Sequence, residues 1–322
     1  MKKVLILIIF LTLLCALAAC SQESNTSTAK EKAQQTDEKQ ESQTNTIEIT
    51  DASGQKLTFE EAPTSIATLD SGVLDILQAL DANLTGRPTS SGPAATKNDK
   101  ITEIGNPHQP NFELIAKVNP EVLVVPISFK QYEDKMKQQG IQLVYTKANS
   151  IEDIQDSIHT FGTLLGKEKS AKKINQSISD KIDKIKNSDA PNARTLLVYG
   201  APGTYLAALP SSLSGDLLEK AGGKNIAADF PREEKFPQYA SISPEKIIKK
   251  NPEIIMLITH GDPEGVKQAF QKEMNQNATW KNLDAVKNDR VIVLPSHLFG
   301  SNPGTKVAEA LQIMQENLTE AN

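Results

Sequence analysis

Cysteine is almost absent from this 322-residue chain. There are two, Cys15 and Cys20, both within the first twenty positions. The remaining three hundred residues therefore hold neither a disulfide framework nor a cysteine-rich zinc site. Aromatic residues make up 5% of the chain, with a single tryptophan, too sparse for a surface that stacks bases. Lysine and arginine (35) fall short of aspartate and glutamate (40), for a formal charge of −5. Broad nucleic-acid binding needs the opposite excess, to neutralise phosphates. Catalytic signatures are missing too: there is no Gly-x-Ser-x-Gly elbow, no Walker sequence and no dinucleotide fingerprint after a strand. The chain has four histidines and no His-x-His, which offers a zinc or manganese site no evident set of three or four ligands. It reads as a binding protein rather than an enzyme.

One long apolar run is present. Lys2 and Lys3 precede residues 4–19, which are almost wholly apolar and end in Leu17-Ala18-Ala19-Cys20. Some sixteen residues is short for a membrane span, and a plain secretory signal needs no cysteine after its small residues. The segment resembles a bacterial lipoprotein signal, which implies cleavage after residue 19 and a lipid (palmitate among its chains) on Cys20. Loss of two lysines would take the charge from −5 to −7 and leave no free thiol, as suits an exported protein. Residues 21–45 are polar and cannot bury a core, so 20–45 reads as lipidated cysteine and flexible tether.

From Thr46 the pattern becomes that of a folded chain. Residues 46–50 and 55–59 alternate around Asp51-Ala52-Ser53-Gly54 and predict a hairpin. Short β-rich runs follow at 65–69, 122–126, 143–145, 195–199, 254–258 and 291–294, separated by helical patterns. This alternation predicts an α/β fold with mainly parallel sheets. Ile151, Ile154, Ile158, Phe161 and Leu165 form one helical stripe behind a Ser150-x-x-Asp153 cap signal. Ala171, Ile174, Ile178, Ile182 and Ile185 form a second, across a helix of about 20 residues and 30 Å. The expected organisation is an N-terminal α/β lobe (46–166), a rigid linker helix (167–190) and a C-terminal α/β lobe (191–322). An internal echo supports two related lobes. Glu113-Leu-Ile-Ala-Lys-Val-Asn119-Pro120-Glu121 matches Glu245-Lys-Ile-Ile-Lys-Lys-Asn251-Pro252-Glu253 at six of nine positions, 132 residues apart, and both run into an apolar strand.

Among the histidines, His159 lies off the stripe of its helix and His297 sits in a loop; both read as exposed. His260 follows the strand 254–258, and His108 lies in Gly105-Asn106-Pro107-His108 just before a helix opening near Asn111. Both positions are at the strand-end edge where open α/β sheets bind ligands, one per lobe. Two imidazoles across a cleft suit iron, zinc or copper, and two axial ligands are what haem iron lacks once the porphyrin has supplied four. The loop Gly200–Tyr205 either sets backbone and Tyr205 against a flat ligand or is a tight turn.

Several stretches carry a family resemblance. They are the hairpin 47–59, Glu103-Ile104-Gly105, Pro110-Asn111-Phe112-Glu113, the long mid-chain helix, Gly215-Asp216-Leu217, Ala221-Gly222-Gly223-Lys224-Asn225-Ile226 and Ser243-Pro244-Glu245. Together with the lipoprotein signal they resemble the periplasmic-binding-protein-like receptors with a helical backbone, which feed siderophore, cobalamin and haem ABC importers. Gly86-Arg87-Pro88-Thr89-Ser90, Pro202-Gly203-Thr204-Tyr205-Leu206, His260-Gly261-x-Pro263-Glu264-x-Val266-Lys267 and Phe270-Gln271-Lys272-Glu273 narrow it. They are similar to the haem-receptor lipoproteins of the iron-regulated surface determinant system of Gram-positive bacteria.

That resemblance implies a haem site between the lobes. In those receptors a methionine and a histidine hold the iron; His260 falls on the histidine position and His108 on the methionine position. The chain thus departs from the pattern at one ligand, and bis-histidine ligation is expected. The pocket is expected to include Ser71, Gly72 and Val73, or Thr89 and Ser90, as propionate contacts. Pro107, Gly203, Thr204, Tyr205, Gly261 and Phe299 are expected around the porphyrin. Glu113 and Glu245 match the acidic residues that dock such receptors onto an ABC permease dimer with its ATPase. A monomer, lipid-anchored outside the cell membrane and supplied by upstream cell-surface haem proteins, completes the expectation. The alternatives are a ferric-siderophore receptor on the same fold, an exported metalloenzyme and a structural adhesin.

Overall fold

The computed structural model describes residues 46–89, 100–186, 192–201, 204–259, 263–276 and 280–319. The signal segment, Cys20 and the tether lie outside the described residues. An antiparallel hairpin of β1 (Ile47–Thr50) and β2 (Lys56–Phe59) comes first, as its alternation predicts. Its turn is organised by the buried Asp51, whose Oδ1 accepts from the Ser53 and Gln55 N–H groups. The other oxygen accepts from the N–H of Tyr145, which fastens the hairpin to the first lobe.

That lobe contains β3 (Ile66–Thr68), β4 (Leu84–Arg87) and β5 (Thr102–Glu103), a small hairpin of β6 (Gly105–Asn106) and β7 (Gln109–Pro110), then β8 (Val122–Pro126) and β9 (Gln142–Thr146). Five of these form a wholly parallel sheet in the order β5-β4-β3-β8-β9. Helices α1 (Ser71–Ala79), α2 (Phe112–Val118) and α3 (Glu133–Gln138) connect them. Residues 122–125 of β8 are all buried, as a central strand covered on both faces requires.

The two mid-chain stripes become α4 (Ile151–Leu164) and α5 (Glu168–Lys186). The Ser150 hydroxyl caps α4, accepting from the Asp153 N–H at 3.1 Å. The expected linker helix is α5, and it is one arm of a packed pair. Gly162 brings α4 so close to α5 that a β-carbon there would lie 2.4 Å from that of Ala171. Gln155 donates to the Ser179 hydroxyl at 3.0 Å, and Asn175 to the Gln155 carbonyl at 2.9 Å. The reason is the α5 stripe itself: Ala171, Ile178 and Ile182 are buried, and a free rod would leave them in water.

The second lobe contains β10 (Arg194–Ala201), β11 (Thr204–Ala208), α6 (Leu213–Lys220), β12 (Lys224–Asn225), β13 (Tyr239–Ser241), α7 (Pro244–Lys250), β14 (Ile254–Ile258), α8 (Pro263–Gln276), α9 (Asp284–Lys287), β15 (Val291–Val293), α10 (Ser296–Phe299) and α11 (Val307–Thr319). Its sheet runs β13-β11-β10-β14-β15, with β12 beside the first residues of β10. β10, β14 and β15 are parallel, while β11 and β13 add antiparallel strands at one edge.

The sequence echo is repeated in three dimensions. α2 and α7 each end on a left-handed asparagine, Asn119 (φ 42°) and Asn251 (φ 44°). The glutamate two residues on then holds the start of the neighbouring strand segment. Glu121 accepts from the Thr64 N–H at 2.9 Å, and Glu253 from the Arg194 N–H at 2.7 Å. One apolar core runs through both lobes, from Ile66, Val122 and Val144 through Ile158 and Ile178 to Leu197, Met256 and Met314.

Candidate functional site

All parallel strands of the first lobe end at one edge, and the chain places Ser71 after β3, Thr89 after β4 and His108 after β5. The Thr89 N–H donates to the Gly105 carbonyl at 2.8 Å, and the Ile104 N–H to that of Arg87 at 2.9 Å, which carries the β4–β5 ladder past its end. The β6–β7 turn then presents His108, which is exposed. This turn is rigidly specified. The Asn106 side chain accepts the N–H groups of His108 and Gln109, both at 3.0 Å. Gly105 has φ 94°, and a β-carbon there would lie 2.4 Å from the Gln109 carbonyl oxygen. Pro107 sits half-buried in the same turn.

The turn at Ser71-Gly72-Val73 has a different use from the one the sequence suggests. Asp70 caps α1 and takes the N–H groups of Gly72 and Val73 at 2.8 and 2.9 Å, so those donors are already committed. Gly72 abuts Asn302 of the other lobe; a β-carbon would lie 2.3 Å from its side chain. The Ser71 and Ser301 hydroxyls are 2.9 Å apart, and Asp75 accepts from the Thr305 N–H at 2.8 Å. This is an interlobe seam. Burial there pushes the Asp70 carboxyl upward, only partly countered by the Val73 and Gly72 N–H groups and Asn302. A second tie joins α4 to α6, where Asp216 accepts the Ile151 N–H at 2.9 Å and Lys220 pairs with Glu152 at 3.1 Å. A third joins α11 to α5, from the Gln315 side chain to the Ile185 carbonyl at 2.9 Å.

In the second lobe, His260, Gly261 and Gly203 lie outside the described residues, as does Ser90 in the first. The strand leading toward position 260 is described: all of β14 is buried, as is Thr259. Pairing of β10 with β11 continues to Ala201 and Thr204. Tyr205 is half-buried, its ring edge-on to Phe270 at 5.0 Å, with Phe270 in turn against Trp280. Phe299 is 5% exposed and packs into the shared core, leaving little of its ring for a ligand.

The sequence does not signal that Tyr199 and Tyr239 come together. Tyr199 lies near the C-terminal end of β10, and Tyr239 opens β13 two strands away. Their rings are 4.7 Å apart and tilted by 37°, and both residues are half-buried. Burial raises both phenol pKa values, and the neighbouring Tyr199 adds to the rise at Tyr239, so both are neutral donors at physiological pH. The antiparallel addition of β11 and β13 pairs them, and no local pattern encodes it.

His159 and His297 are exposed, as expected, although His297 lies in α10 rather than in a loop. Among the described residues, no three of His, Cys, Asp or Glu are grouped so as to hold a metal ion. No helix among them is long and apolar enough to cross a membrane. Glu113 and Glu245 are exposed in the first turns of α2 and α7. Each helix precedes a parallel strand and runs back across its sheet. Its start therefore lies toward the edge at which the parallel strands end.

Residues 66–298 match the family model described as periplasmic binding protein. The chain belongs to that family. Family members of this type are extracytoplasmic substrate-binding proteins that work with an ABC permease and ATPase. This periplasmic binding protein is 33% identical to the high-affinity heme uptake system protein IsdE of Staphylococcus aureus, over 79% of its own length and 85% of the relative's. The crystal structure of S. aureus IsdE complexed with heme aligns with a TM-score of 0.71 at 30% identity, covering 79% of this chain and 98% of that one. An ABC transporter substrate-binding protein of Listeria monocytogenes EGD-e aligns with a TM-score of 0.71 at 27% identity, over 80% and 99% of the two chains. The catecholate-siderophore binding protein VctP of Vibrio cholerae shares the fold, with a TM-score of 0.67 at 18% identity, over 84% and 99%.

Proposed function

We propose that this periplasmic binding protein is a haem receptor, lipid-anchored through Cys20, that delivers haem to an ABC permease. The observation that carries the reading is the likeness to the haem uptake protein of S. aureus, 33% identical along most of both chains. In this reading haem is cargo. It enters at the strand-end edges, with His108 and His260 as axial ligands. Bis-histidine ligation lowers the iron potential relative to a methionine–histidine pair and favours the ferric state.

Several neighbours keep their expected roles. Thr89 and Ser90 offer hydroxyls to the propionates, the Ser71 hydroxyl being taken up by Ser301 in the seam, and Pro107, Gly203, Thr204, Tyr205 and Gly261 border the porphyrin. Gly72, Val73 and Phe299 are left out, because their donors or surfaces are used within the protein. Tyr199 and Tyr239 are added as a flat aromatic surface. Glu113 and Glu245 dock the two lobes onto the permease dimer. The α1 seam and the α4–α6 tie between the lobes, with the α11–α5 tie to the linker helix, limit relative movement of the lobes, so release depends on the permease rather than on wide opening.

Spectral titration of residues 21–322 tests this. Ferric haem is expected to give a saturable, sharp Soret band with low-spin features, and ferric catecholates are expected not to compete. Saturable binding of a ferric siderophore, with only the broad spectrum of free haem, would replace the haem reading with the siderophore one.

A further inference from the structure

The echoed helices carry more than their glutamates. α2 reads Phe-Glu113-Leu-Ile-Ala-Lys117-Val and α7 reads Pro-Glu245-Lys-Ile-Ile-Lys249-Lys, so each holds a glutamate and a lysine four residues apart. The buried residue of each helix, Ile115 or Ile247, lies midway between them in sequence. At 100° per residue both charges then project about 160° away from it, straight outward. All four side chains are exposed.

A surface glutamate and lysine at this spacing normally close on each other, and the protein does so elsewhere. Glu133 and Lys137 pair at 2.7 Å, and Asp216 and Lys220 at 2.5 Å. Neither echoed dyad closes, and none of the four groups has an ion-pair partner among the described residues. Their neighbours on α7 are engaged: Lys250 pairs with Asp229 at 2.7 Å, and Lys246 lies over the Phe230 ring at 5.2 Å. The same open dyad, in the same orientation, thus recurs once per lobe. In each, the acid lies toward the ligand edge and the base about 6 Å farther along the helix.

We propose that Lys117 and Lys249 complete a bipolar docking footprint with Glu113 and Glu245, fitted to a two-fold partner. That partner carries, in each half, a basic group facing the glutamate and an acidic group about 6 Å farther from the ligand edge. This rests on the permease-docking reading above, and the permease dimer is the occupant it commits to. Two copies of one charge pattern suit two copies of one surface, and the opposed charges fix the register of each dyad along its half of that surface. The lysines also suit the last turns of their helices, a role that makes no demand on a partner.

The test uses the lipid-anchored full chain, co-reconstituted with the permease dimer and ATPase that take its ligand, and reads ATPase stimulation against receptor concentration. Three variants are compared: the double glutamate variant E113A/E245A, the double lysine variant K117A/K249A, and an exchange variant E113K/K117E/E245K/K249E. The exchange keeps net charge, composition and an i,i+4 pair. The half-maximal concentration should rise about tenfold for each alanine pair, and stimulation should vanish in the exchange. Ligand binding, read in parallel, should stay that of wild type, while the exchange variant, whose charges oppose its helix dipoles, should melt slightly lower. Wild-type stimulation by K117A/K249A with loss in E113A/E245A would overturn the bipolar footprint and leave the glutamate docking reading standing. Wild-type stimulation by all three variants would remove both.

Discussion

The carboxylate of Asp75 accepts both the N–H and the hydroxyl of Thr305, at 2.8 and 2.5 Å, across 230 residues of chain. One partner lies on the first helix of the first lobe, the other in the last approach to α11. The backbone comes close here because both sides use glycine. A β-carbon on Gly304, which has φ 59°, would lie 2.7 Å from the Gly72 carbonyl and from Asp75 itself. The lobes are therefore joined at a specific, tightly fitted seam as well as through the helical pair.

Substituting Gly72 by Ala should destabilise the protein by about 1–3 kcal/mol, because Asn302 must move. Asp75→Ala should cost about the same, since it strips two charge-assisted hydrogen bonds. Scanning calorimetry is expected to show melting temperatures lower by about 2–4 °C per kcal/mol. Gly54→Ala has open space and so no clash, but it carries φ 83°. It should lose only the smaller cost of that backbone strain. A Gly72→Ala variant as stable as wild type would mean that the seam is loose in solution.

Asp70 predicts a pH effect of definite sign. Its folded-state pKa is raised, chiefly by burial, so the folded protein holds this proton more tightly than the unfolded chain does. The group therefore subtracts stability as pH rises from about 4 through its folded pKa, and the loss stays in place above it. Asparagine keeps the helix cap but does not titrate. Chemical denaturation across pH 3.5–7.5 should show the stability of wild type minus that of Asp70→Asn falling with pH, then levelling. A difference that rises with pH would contradict the burial argument.

Much of this architecture is legible in the sequence because it is encoded locally. The hairpin around Asp51, every strand of the two main sheets that carries an unbroken apolar run, and the stripes of α4 and α5 all announce themselves by local pattern. The Asn119 and Asn251 turns repeat as sequence and as geometry. What escapes is long-range. Nothing near Gly72 signals that Asn302 will lie against it, so the turn reads as an open anion cradle. Nothing near Tyr199 signals Tyr239, because an antiparallel strand addition pairs them. The strands 102–103 and 224–225 are too short for a periodic signal.

The tyrosine pair predicts a contribution to binding with little effect on the iron. Tyr199→Ala or Tyr239→Ala should weaken haem binding about tenfold, equivalent to about 1.4 kcal/mol, while phenylalanine at either position should retain most of the affinity. The low-spin spectrum of the bound haem should be unchanged in all four variants, since none removes an axial ligand. Unaltered affinity in both alanine variants would place the pair outside the ligand surface.

In the proposed function haem iron is held between His108 and His260. The most direct measurement is the absorption spectrum of ferric haem bound to wild type, His108→Ala and His260→Ala, each purified as residues 21–322. Wild type is expected to give a low-spin spectrum and both variants a shift toward high spin, with exogenous imidazole restoring the low-spin form. A His108→Ala spectrum identical to wild type would contradict this ligation and assign the sixth position to another residue.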